Sequence, residues 1–150
     1  MPNPSFRFRL ERVRALRERN EDAAKEVVAG AMHDHHRCEQ ELQTAADRIA
    51  GARAAQLDAA SRPMSATDLI ARQAYLERTE LAHVARGHDL DRQVVELART
   101  RELLTVAARE RQVLERLKDR RRADHDREMA RLEGIVLDEI AINGFRRRAR

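Results

Sequence analysis

The sequence has 150 residues, of which 37% are charged, and its formal net charge is +4. It contains no tryptophan, one tyrosine and three phenylalanines, which excludes a core of normal thickness filled by aromatic residues. Charges of both signs with few aromatics are typical of long exposed helices or coiled coils, and disorder is the competing interpretation. The regular spacing of apolar residues described next argues against disorder.

The first predicted helix runs from about residue 8 to residue 60. Small and apolar residues recur there in steps of three and four, which places them on one stripe of a helix. Because the average step is close to 3.5 residues, the stripe predicts a coiled-coil seam. Its predicted members are Leu10, Val13, Leu16, Ala24, Val27, Ala31, Cys38, Leu42, Ala45, Ile49 and Ala52, with polar steps at Asn20 and His35.

A turn over residues 61–66 separates this helix from a second one. Pro63 lies in the turn, and Ser65 and Asp68 form a sequence typical of a helix N-terminus. The second helix is predicted over about 67–142, followed by a tail over 143–150. Its predicted seam comprises Leu69, Leu76, Val84, Leu90, Val94, Leu97, Leu104, Ala107, Leu114, Leu117, Leu132 and Ile135, interrupted by Arg101, Arg111, Arg121 and His125.

A short loop between two helices predicts that they are antiparallel neighbours. The expected fold is therefore all-α, with two long helices forming an antiparallel coiled-coil hairpin as a single domain over residues 1–150. Helix two is the longer helix, so its part from about residue 120 onward is expected to project past the start of helix one. An apolar stripe without a partner in its own chain predicts a partner from outside.

Sequence motifs for catalysis are missing, because no nucleophile–base pattern and no glycine-rich phosphate loop occurs. We therefore expect no enzymatic activity, no catalytic residues and no cofactor. One hypothesis is a metal site formed by His33, His35, His36, Cys38 and Glu39, because several of these residues share a helix face. No second cluster supplies further ligands, so a polar helix surface with Cys38 in the seam is favoured.

The second half of the sequence contains two runs of arginine, at residues 120–122 and 146–148, and Arg150 follows the second run. Each run allows contact with nucleic acid, acidic lipid or an acidic protein, but a solvated helix face is favoured. Acidic residues beside the first run count against DNA binding. The single cysteine indicates a reducing compartment, and no apolar segment typical of a secretory signal follows residue 1.

Both ends of the sequence resemble one known family. Residues 6–13 read FRFRLERV, residues 110–121 read ERQVLERLKDRR, and residues 137–141 read LDEIA. Their order, around a central turn, resembles the FliJ family of flagellar export proteins over nearly the whole chain. The resemblance implies a cytoplasmic coiled-coil stalk at the inner-membrane base of the flagellum, which inserts the end bearing both termini into the hexameric type III export ATPase.

The resemblance also implies contacts with the cytoplasmic domain of the export gate and with export chaperones, contact with the membrane only through the export apparatus, and no nucleic acid. The expected ATPase-binding residues are Phe8, Leu10, Val13, Leu16, Leu132, Ile135, Val136 and Ile140. The expected gate-binding residues are Leu42, Ala45, Ile49, Tyr75, Leu76, Thr79 and Ala82. The alternatives are a basic coiled-coil nucleic-acid-binding protein, a generic scaffold and the related stalk of an injectisome.

Overall fold

Two long helices make up nearly all of the structure, a computed structural model that describes residues 5–148 apart from the side chain of Arg148. Helix α1 spans Glu11–Ala60 and helix α2 spans Ala66–Arg148, and no strand occurs in this part of the chain. The prediction of an all-α fold with two long helices packed on each other is confirmed. Residues 1–4 and 149–150, which fall in the predicted domain and tail, lie outside the described residues.

The helix ends differ from the predicted bounds at two places. Helix α1 starts at Glu11, three residues after the predicted start, and the Glu11 amide donates a hydrogen bond to the Phe8 carbonyl at 3.1 Å. Helix α2 includes residues 143–148, where the sequence analysis placed a tail. No proline follows Pro63 to stop the helix, and arginine is both a good helix former and favourable near a helix C-terminus.

The start of α2 depends on Ser65, as its sequence predicts. The backbone amide of Asp68 donates a hydrogen bond to the Ser65 Oγ at 3.1 Å, and this hydroxyl in turn donates to Asp68 Oδ2 at 2.7 Å. The side chain thus satisfies one of the amides that a helix N-terminus leaves without a partner.

The chain forms two compact units, each containing a segment of both helices. We call residues 22–105 the loop unit, and residues up to 21 together with those from 106 onward the terminal unit. In each unit the α1 and α2 segments run antiparallel. Glu41 pairs with Arg86 and Arg53 with Glu80 in the loop unit, whereas Glu11 pairs with Lys118 in the terminal unit.

The seam of the loop unit is built mainly from small residues. Val28, Ala31 and Leu97 form its buried apolar cluster, and Leu104 packs against them. Further along α1, the buried positions are Cys38, Ala45 and Ala59. The predicted seam positions Ala31, Cys38 and Ala45 are therefore confirmed.

In the loop unit, some predicted seam positions are wrong because the buried stripe lies beside the predicted one. Val28 is buried, whereas the predicted Val27 is exposed, and on α2 both Val84 and Val94 are exposed. Thr100, which was not predicted, is buried and donates its hydroxyl to the Leu97 carbonyl at 3.0 Å. A threonine can occupy a seam because the helix backbone satisfies its hydroxyl.

Four ion pairs cross the seam of the terminal unit. Arg14 donates to Glu115 at 2.8 Å, Arg17 donates to Glu110 at 2.7 Å, and Lys118 donates to Glu11 at 3.0 Å. The fourth pair joins Arg111 to Glu21. Glu21 is buried, and its hydrogen bond to Arg111 raises the pKa of that guanidinium.

This polar seam corrects the predicted positions of Leu10, Val13 and Leu16. All three are exposed, because Arg14, Arg17 and Glu21 occupy the side of α1 that faces α2. Arginine stems cover apolar surface while their guanidiniums pair with carboxylates, so a polar residue can fill a seam position.

Replacing Leu97 with alanine tests the apolar cluster of the loop unit. Because Leu97 is only 8% exposed and packs on Val28 and Ala31, Leu97→Ala is expected to cost about 2–3 kcal/mol of unfolding free energy. Urea denaturation followed by far-UV circular dichroism measures this cost. The control is Leu103→Ala, at an exposed position of α2; equal losses in both variants would contradict the cluster.

The ion pairs of the terminal unit predict a pH dependence at Glu11. Hydrogen bonds from Arg14 and then Lys118 hold the pKa of the Glu11 carboxyl below its usual 4.5. Because the pKa is lower in the folded state, the stabilisation is present above the unfolded pKa and is lost as pH falls through the lowered value.

Amide hydrogen exchange of Glu11→Gln and wild type, compared at each pH, reads this effect directly. The variant should exchange faster in peptides covering 11–21 at about pH 7, and the difference should shrink as the pH falls below 4.5 and through the lowered pKa of Glu11. Glu102→Gln, at an exposed position in the loop unit, is the control and should leave these peptides unchanged. A deficit of the same size at every pH would contradict the ion-pair explanation.

Candidate interaction surfaces

The α1 part of the predicted ATPase-binding set lies on the outside of the terminal unit. Leu10, Val13 and Leu16 follow each other at steps of three and are 40%, 41% and 52% exposed. Phe8 is half-buried just before the helix. Near it, the ring of Phe6 lies 5.7 Å from the ring of His125, a contact between the segment preceding α1 and α2.

The α2 part of the set is exposed as well. Leu132, Ile135, Val136 and Ile140 are between 42% and 63% exposed. Three further exposed apolar side chains lie on this segment outside the predicted ATPase-binding set, Leu137, Ile142 and Phe145. Phe145 was missed because the helix was expected to end at residue 142, and Leu137 because it lies off the predicted stripe. Large apolar side chains therefore project on several sides of α2 here.

The predicted gate-binding set divides between the seam and the surface of the loop unit. Ala45 is buried, and Leu42, Ile49, Leu76 and Thr79 are half-buried. Only two members are exposed to solvent, Tyr75, which is 48% exposed, and Ala82.

Four members of that set meet in one groove. Ala45, Tyr75, Thr79 and Ala82 line a groove of about 270 Å³. Its remaining lining residues are Arg48 and Arg78, which sequence reasoning missed. Their positions follow from helical spacing, since Arg48 is three residues from Ala45 and Arg78 is three residues from Tyr75. The groove is thus lined by one aromatic ring and two cationic side chains.

The histidine-rich segment of α1 has a carboxylate at its centre. The Nδ1 atoms of His35 and His36 lie 3.7 Å and 3.5 Å from Glu39 Oε2. These residues border a groove of about 560 Å³ with Val94, Leu97 and Arg101. Within residues 5–148, no group of three or more histidine, cysteine, aspartate or glutamate side chains is arranged to hold a metal ion.

The length and polarity of the helices bear on membrane contact. Neither described helix contains a stretch that is both long and apolar enough to cross a membrane.

Comparison with known proteins assigns the chain to a family. The sequence model of the family described as "Flagellar FliJ protein" matches residues 6–150. Searches of curated proteins and of solved structures give no significant match. Because the match covers nearly the whole chain, this protein belongs to the flagellar FliJ family, whose members are non-catalytic components of the flagellar export apparatus.

Proposed function

We propose that this protein is the stalk of the flagellar type III export ATPase, inserting its terminal unit into the hexameric ring and promoting ATP hydrolysis by its partner. The observation that carries the proposal is the set of exposed apolar side chains of the terminal unit: Leu10 just before α1, Val13 and Leu16 on α1, and those on the α2 segment from Leu132 to Phe145. Contiguous exposed apolar side chains of this kind mark surfaces that bind another protein.

The ion-pair seam strengthens this interpretation. In an ordinary coiled coil, leucine and valine at these spacings would be buried between the two helices. Here the contact is made by charged pairs such as Arg14 with Glu115 and Arg17 with Glu110, which leaves the apolar side chains available. The proposed role is positional, and the nucleotide chemistry belongs to the ATPase.

The proposal includes a second contact, between the loop unit and the cytoplasmic domain of the export gate. We narrow the proposed gate-binding surface to the groove around Tyr75, because Leu42, Ile49 and Leu76 are half-buried and do not line it. A half-exposed tyrosine supplies apolar area and a hydroxyl at low entropic cost, which suits a binding contact. On the basis of its family, we also propose that the protein escorts export chaperones and is located at the inner-membrane base of the flagellum.

Loss of ATPase stimulation tests the insertion surface. The triple variant Leu132→Asp, Ile135→Asp and Ile140→Asp is expected to lower stimulation of the flagellar export ATPase at least about tenfold, because truncating a few apolar anchors removes most of a binding energy. Steady-state phosphate release, with the full chain titrated into the ATPase, gives the measurement.

The control for this variant places the same substitutions elsewhere on α2. Leu81, Val95 and Leu103 are 70%, 69% and 56% exposed, so their aspartate variants should fold and stimulate as wild type does. Circular dichroism checks that both triples keep their helix content. Stimulation that survives in the first triple, or is lost equally in both, would count against the insertion surface.

Replacing Tyr75 tests the gate contact separately. Tyr75→Ala is expected to weaken binding to the isolated gate cytoplasmic domain by about tenfold, since it removes the only aromatic ring of the groove. Isothermal titration calorimetry provides the affinity. Leu57→Ala, a substitution at an exposed apolar site near the end of α1, serves as the control. If Tyr75→Ala binds the gate domain as tightly as wild type does, the groove is not the gate-binding surface. The Tyr75→Ala variant should still stimulate the ATPase at the wild-type level.

A further inference from the structure

The outer side of α2 in the terminal unit carries a straight line of arginines. Five of them follow each other at steps of seven, four, seven and four residues: Arg109, Arg116, Arg120, Arg127 and Arg131. Since an α-helix turns by about 100° per residue, these steps keep all five within a sector of about 60°. All five are exposed. We call this set the arginine line.

The arginine line lies on the side of α2 opposite the ion-pair seam. Arg111, Leu114 and Lys118 mark the inner side, because Arg111 and Lys118 pair with α1 and Leu114 is half-buried. The mean direction of the arginine line is roughly 165° from theirs around the helix axis. The line therefore takes no part in holding the two helices together.

The first three members of the arginine line have no charged partner among the described residues. Among residues 5–148, Arg109, Arg116 and Arg120 make no ion pair or hydrogen bond, whereas the neighbouring Arg111 and Lys118 are both paired. Arg127 pairs with Asp124 at 2.9 Å and Arg131 with Glu128 at 2.6 Å. The three arginines without a partner among the described residues are therefore the members of the line closest in sequence to the loop unit.

We propose that the arginine line docks a helical segment of a partner protein that carries carboxylates along one face. Two helices lying side by side share the same rise of about 1.5 Å per residue, so carboxylates at the same steps would meet the arginines over roughly 33 Å. The guanidinium fork matches a carboxylate with two parallel hydrogen bonds, which arginine provides and lysine does not. The inference does not depend on the ATPase-stalk proposal, because it uses none of the residues assigned to insertion.

The geometry favours an acidic helix over other anionic partners. Phosphates of a duplex wind around its axis, so a straight line of cations meets only a few of them. Single strands are held largely by stacking on aromatic rings, and no phenylalanine, tyrosine or tryptophan lies between Tyr75 and Phe145. A helix lying on a bilayer needs large apolar side chains on the same face, and Val113 is the one exposed apolar residue within the line.

Binding of synthetic helical peptides tests the proposal directly. The probe is an alanine-based fluorescent peptide with glutamates at steps of seven, four, seven and four, and its partner probe has the same composition with glutamates spread around the helix. The full chain is expected to bind the first probe about tenfold more tightly than the second, by fluorescence anisotropy at low salt. Equal affinities would overturn the proposal.

Matched arginine variants make the test specific for the line. Arg109→Gln, Arg116→Gln and Arg120→Gln together should weaken binding of the matched peptide at least about tenfold. The control triple, Arg19→Gln, Arg121→Gln and Arg122→Gln, removes the same charge from exposed positions of the terminal unit that lie off the line, and should change the affinity less than about threefold.

Two outcomes assign the line to another partner and would overturn the proposal. The first is tighter binding to a single-stranded or duplex oligonucleotide than to the matched peptide. The second is tighter binding to vesicles containing phosphatidylserine. Equal losses in the two arginine triples would also overturn it, because the affinity would then follow net charge and not the position of the arginines.

Discussion

The ion pair between buried Glu21 and half-buried Arg111 fixes how the two helices meet in the terminal unit. Glu21 is the one charged residue that is buried among the described residues, and its carboxylate accepts a hydrogen bond from the opposite helix. A buried carboxylate without a cation would be strongly destabilised, so this pairing selects one register among those that the apolar spacing allows. On α1 the other pairs, at Glu11, Arg14 and Arg17, precede Glu21 at steps of three and four residues.

This choice of register has a consequence for the rest of the surface. Once charged side chains take the seam, the apolar residues one position earlier on α1 must point to solvent, and Leu10, Val13 and Leu16 do so. Exposed ion pairs add little stability by themselves, and salt screens them. The terminal unit therefore gains specificity of alignment from its seam, while its apolar side chains stay free for another protein.

Much of the fold could be predicted from the sequence because it depends on local signals. Pro63 and the Ser65 cap mark the turn, and the steps of three and four mark the helices, so two helices with a break near residue 63 follow directly. The register of the seam could not be predicted in the same way. In α1 the line through Val13, Leu16 and Val27 and the line through Arg14, Arg17 and Val28 differ by one residue, and a pattern that counts apolar side chains selects the first.

The candidate surfaces were predictable only in part, for the same reason. The apolar residues of both ATPase-binding segments could be named from composition and order, but their exposure on α1 depends on partners more than 90 residues away. The groove at Tyr75 likewise depends on which side of α1 faces α2, so Arg48 and Arg78 entered only with the structure. The arginine line is visible in the sequence once the steps of seven and four are counted.

The small residues of the loop-unit seam determine how the protein responds to temperature. Ala31, Cys38, Ala45 and Ala59 bury little apolar area each, and no large side chain of the described residues is fully buried. Because the heat capacity change of unfolding follows exposed apolar area, its value per residue should lie below the roughly 12–15 cal/mol/K of globular proteins. A small heat capacity change gives a flat stability curve. The stability of the loop unit should therefore change little over a broad range of temperatures.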